Sequence, residues 1–124
     1  MSIKFGIMQG RLTKTNSNVL QKFPTDWSKE FDFIKKTSLD YIEFFTEKNF
    51  NKKNPIWSNN GIKKIKKKIS KVNHKEIIVC DNYVISHSLD KISTEKYLKL
   101  LIDQLSNFKK SKLIIPIVSN KLNN

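Results

Sequence analysis

Arginine is almost missing from this chain. Of its 24 basic residues, Arg11 is the only arginine. Readers of phosphate and base edges lean on arginine, whose planar fork matches those acceptors. So the net charge of +13 does not by itself point to nucleic acid. Lysine, asparagine and isoleucine dominate, the mix that A/T-rich codons produce, and a nucleic-acid partner is unlikely on this reading. Cysteine is nearly missing too. The lone Cys80 excludes an internal disulfide and a cysteine metal cluster. Glycine is scarce: Gly6 and Gly10 do not make a dinucleotide-binding turn, and no phosphate loop appears. No apolar run approaches a membrane span. Met1-Ser2-Ile3-Lys4 leads straight towards a strand, without the pattern of a signal peptide. The expected setting is cytoplasmic, with no membrane partner.

What is present repeats. Ile3 to Met8 is a short apolar run that breaks at Gly10 and leaves Gln9 and Arg11 where the strand ends. A polar connection runs from Gln9 to Thr25, long enough to suggest a functional loop. Asp26 is placed as the N-cap of a helix over Trp27 to Thr37, with Trp27, Phe31 and Ile34 on one face. A second strand, Leu39 to Phe45, is aromatic-rich. Ser58 caps a second helix whose apolar positions are Ile62, Ile65, Ile69 and Val72. The lysines between 63 and 68 form its solvated side. Glu76 to Cys80 is a third strand, nearly continuous in apolar residues, as parallel strands covered on both faces are. Ser93 or Thr94 caps a third helix, on which Tyr97, Leu98, Leu101, Ile102, Leu105 and Phe108 form the apolar stripe. Lys112 to Val118 is the fourth strand, and Ser119 to Asn124 a polar tail.

The order is βαβαβαβ, with four parallel strands expected. Long polar loops after the first three strands favour a (β/α)8 barrel over a doubly wound sheet, because a barrel builds its site from those loops. A whole barrel needs about 250 residues, so these 124 supply the N-terminal half of one as a single domain. Four strands leave two open edges. A second copy, or a complementary half, would complete the ring.

Several segments taken together resemble the sugar phosphate isomerase/epimerase family of xylose-isomerase-like barrels. They are Gly6-Ile7-Met8-Gln9-Gly10-Arg11-Leu12, Phe23-Pro24 ahead of Trp27, and Leu39-Asp40-Tyr41-Ile42-Glu43. Asn54-Pro55-Ile56-Trp57-Ser58 ahead of Gly61-Ile62, and Val79-Cys80-Asp81-Asn82-Tyr83 with His87 downstream, complete the set. The resemblance spans essentially the whole chain and implies a mouth that takes a small sugar or sugar phosphate. It implies proton transfer beside a carbonyl, assisted by a divalent metal. The metal ligands of such barrels come mostly from later strands, so no metal residue is assigned here. The alternatives are a non-catalytic fragment, a self-associating half barrel or a basic nucleic-acid binder.

Five residues are singled out as site candidates. Glu43 interrupts an apolar strand, and is either an acid/base in the mouth or a structural partner of a lysine. His87, between two serines, is either a proton carrier or an exposed loop histidine. Gln9 and Arg11 are substrate-binding candidates, Arg11 through its forked donors or else as a pin for the long loop. Asp81 meets substrate or caps a turn with Asn82. His74 reads as surface, and Cys80 as a small buried hydrophobe. Trp57 and Tyr83 either stack on a sugar ring or pack in the rim.

Overall fold

The computed structural model describes residues 2–13 and 22–117. Four strands form one sheet, in the order β1 (Gly6–Met8), β2 (Tyr41–Thr46), β3 (Ile77–Asp81) and β4 (Ser111–Ile114). Every neighbouring pair is parallel, as the sequence led us to expect. Helices alternate with them: α1 (Trp27–Ile34), α2 (Asn59–Ile69), a short α3 (Tyr83–Ser86) and α4 (Ile92–Leu105). Because each crossover steps to the next strand in one direction, right-handed connections keep α1, α2 and α4 on one face. A doubly wound sheet would reverse its order at a switch point. No reversal occurs here.

The register sorts side chains between the two faces. Ile7 sits beside Ile42, and Val79 lies between Phe44 and Leu113, all in or against the core under the helices. Phe31 and Ile34 of α1, Ile62, Ile65 and Ile69 of α2, and Tyr97, Leu101 and Leu105 of α4 complete it. Alternation turns Met8, Glu43, Ile78 and Lys112 to the other, open face. Gly6 lies there too. A Cβ on it would fall 2.2 Å from the Tyr41 ring, which occupies that space.

Element ends differ from expectation in instructive ways. β1 is shorter than Ile3 to Met8, since as an edge strand it has a ladder on one side only. Phe5 is still tied to Asp40, through its amide to Oδ2 at 2.9 Å and its carbonyl to the Asp40 amide at 2.6 Å. Asp26 occupies the N-cap position of α1 but makes no cap hydrogen bond; it pairs with Lys29 at 2.9 Å. Ser58 caps α2 as expected, its hydroxyl accepting from the Gly61 amide at 3.0 Å. Gly61 lets that helix start against the 3₁₀ turn Pro55–Trp57: a Cβ there would lie 1.9 Å from the Pro55 carbonyl oxygen. α4 starts at Ile92 with Lys91 before it, so neither Ser93 nor Thr94 is the cap; Thr94 is instead buried. β4 runs over Ser111–Ile114, ending before the expected limit at Val118; Val118 and the tail from Ser119 lie outside the described residues. Among the described residues, no helix is long and apolar enough to cross a membrane.

Candidate functional site

The carboxyl ends of the strands carry the candidate residues, on two different faces. Glu43, the third residue of β2, is half-buried on the open face. No hydrogen bond or ion pair reaches its carboxylate among the described residues. Burial raises its carboxyl above the usual carboxylate range. Cys80 shares this face, and burial, then the charges of Glu43 and Asp81, push its thiol up. A thiol so held stays protonated and is a poor nucleophile.

Gln9 and Asp81 lie on the helix side. The Gln9 amide N–H donates to the Glu43 carbonyl at 2.8 Å, and alternation carries its side chain to the side of Ile7. That side chain is fully buried, with neither amide atom hydrogen-bonded. Asp81 is fully buried as well. Its Oδ1 accepts from the Thr46 hydroxyl and, at 2.7 Å, from the Tyr97 hydroxyl; its Oδ2 accepts from the Val84 amide at 3.3 Å. Burial first, then Asp81, pushes the Tyr97 phenol far above the usual tyrosine range. Asp81 therefore locks the ends of β2 and β3 to α4. Arg11 is exposed beyond β1, with its guanidinium 3.9 Å from the Met8 sulfur.

His87 follows α3. Its Nδ1 lies 2.9 Å from the Tyr83 carbonyl oxygen, an acceptor, so Nδ1 carries the proton and donates. Among the described residues, Nε2 makes no hydrogen bond. The ring is stacked on Tyr83 at 3.7 Å, and Tyr83 in turn on Tyr97 at 3.8 Å. Trp57 packs between Tyr97 and Phe50, so both aromatic candidates have ring partners in the protein.

Two carboxylates matter more than their sequence context suggests. Glu30 is fully buried and gathers the loop after β1. Its carboxylate accepts from the amides of Gly10 at 2.8 Å, Leu12 at 3.2 Å and Thr13 at 3.3 Å. The signal was available, because Glu30 stands on the same helical face as Trp27 and Ile34. At the opposite end of the sheet, His74 is half-buried, not on the surface. It accepts from Lys4 at 2.9 Å and meets Glu76 at 2.9 Å. Glu76 also takes Lys112 at 3.4 Å.

Among the described residues, no three His, Cys, Asp or Glu side chains group so as to hold a metal ion. They do not fit the divalent metal that the resemblance implies. The fold and these residues define a parallel α/β sheet with the Glu43 carboxylate half-buried on its open face. No family model, no curated protein and no solved structure matches the chain.

Proposed function

We propose that the chain is the N-terminal half of a sugar phosphate isomerase/epimerase barrel and that its open strand ends bind a small sugar or sugar phosphate. The observation that carries this is Glu43. A half-buried carboxylate with no cation beside it among the described residues, its pKa raised by burial, suits proton transfer. In the reaction this reading implies, Glu43 takes the proton from the carbon beside the substrate carbonyl and returns it to the former carbonyl carbon, while the proton of the neighbouring hydroxyl passes to the former carbonyl oxygen. His87, held in one tautomer by Tyr83, offers Nε2 to a substrate hydroxyl. Arg11, beyond the end of β1, offers its guanidinium to a phosphate. The remaining ring strands would complete the mouth.

The test is a titration of the ¹⁵N-labelled chain with a ketose phosphate, followed by amide chemical shifts, with inorganic phosphate as control. Shifts should concentrate at Met8 to Arg11, Glu43, Cys80 and Tyr83 to His87. Glu43→Gln should weaken binding about tenfold. Shifts confined to the lysines of α2, or equal for phosphate alone, would reject the reading.

A further inference from the structure

The sheet ends in two bare rows of backbone groups. On β1, Gln9 turns its amide to β2, and Met8 is the register partner of Glu43. Parallel pairing alternates, so Gly6 and Met8 turn their N–H and C=O groups away from β2. On β4, Ile77 donates to the Lys110 carbonyl at 3.2 Å, which leaves Ser111 and Leu113 facing outward. Among the described residues nothing pairs with either row. Natural edges are usually blunted by lysine, proline or a bulge. β1, as Gly6-Ile7-Met8, has none of these.

Apolar side chains gather at the same two places. Ile3 and Phe5, before β1, are 80% and 61% exposed. Ile114 and Ile117, on and beyond β4, are 42% and 82% exposed. On the open face Lys4 is matched with His74 and Lys112 with Glu76, and Glu43 has no cation beside it among the described residues. The lysine-dense side of α2 belongs to the helix layer, where α2 lies beside α1. A second molecule meeting these edges therefore buries apolar groups without setting bare ammonium groups together.

We propose that a second copy of this chain closes the sheet. β4 of each copy lies beside β1 of the other, around a two-fold axis down the centre of an eight-stranded ring. That axis keeps all eight strands parallel. The two edges of one molecule differ, so an occupant must offer a β1-like edge to β4 and a β4-like edge to β1. A second copy carries both. Closure covers the open face, so that Glu43 of each copy lines a shared interior. The proposal stands on the sheet alone and survives if sugar binding fails.

Sedimentation equilibrium of the full chain, from about 1 to about 100 µM, tests it. The expected species has twice the 14.6 kDa mass of the chain. Met8→Pro and Ser111→Pro each remove one outward N–H and leave the internal ladders whole. Each should raise the dimer Kd about tenfold or more with an unchanged circular dichroism spectrum. Ile117→Lys alters a side chain already in water, so its effect on Kd is free of any folding defect. A monomer at every concentration overturns the proposal, whether or not some other polypeptide binds it. So does a dimer whose Kd ignores all three substitutions, or a series of ever larger species in place of a closed pair.

Discussion

Glu43 shows what one charged residue does inside a strand. Its raised pKa means that the folded chain holds this proton to higher pH than the unfolded chain does. The stability it contributes is full below the unfolded carboxyl value of about 4.3 and falls as pH rises through the folded value. Glu43→Gln removes that loss. Urea midpoints should favour the variant at about pH 7 and be equal for both proteins at about pH 4. The partial exposure of Glu43 keeps the gain small, and an equal gain at both pH values would contradict the titration argument. Asp81 is fully buried, and its oxygens are acceptors for Thr46, Tyr97 and Val84. Asp81→Ala leaves those buried donors unpaired and should cost about 3 kcal/mol or more in urea unfolding, and Asp81→Asn less. Both residues were legible in the sequence as polar groups in or just after apolar runs. What Asp81 does was not, since its partner Tyr97 lies sixteen positions on and meets it only once α4 is docked.

At the scale of elements, Glu30 couples α1 to the loop after β1. Three backbone amides converge on its carboxylate. Glu30→Gln replaces one acceptor oxygen with a donor that faces other donors, and should cost about 2 kcal/mol. Hydrogen exchange is the sharper readout. The amides of Gly10, Leu12 and Thr13 should lose protection while those of β3 keep it. Uniform loss across the molecule would mean that Glu30 supports the whole core and not this loop. The strands and long helices could be read from period and composition because Ile62, Ile65 and Ile69, or Ile77 to Val79, carry their own signal. The short α3 could not, since Tyr83-Val84-Ile85-Ser86 is four residues of mixed character. The start of α4 was misplaced because serine and threonine are common caps, yet here Thr94 packs inward.

Across the whole molecule, positive charge is concentrated on the outer side of α2. Lys63, Lys64, Lys66, Lys67 and Lys68 fall within six residues, and of these only Lys68 has a carboxylate partner among the described residues, Asp32 at 3.3 Å. Lys66 rests over the Phe108 ring, its ammonium 5.8 Å from the centroid. Lysines 63 and 67, and 64 and 68, stand one helical turn apart and repel each other, each pair by about 0.2–0.5 kcal/mol at low salt. A net charge of +13 adds a diffuse repulsion that favours any expanded state. Both terms are screened within a Debye length of about 10 Å at 0.1 M salt. Raising sodium chloride from about 20 to about 300 mM should therefore raise the urea midpoint. Lys64→Glu should raise it at low salt, because a glutamate four residues before Lys68 has the favourable orientation on a helix. With that substitution in place, the added salt should help less than it helps the parent chain. If salt moves the parent and the variant equally, the repulsion lies elsewhere than on α2.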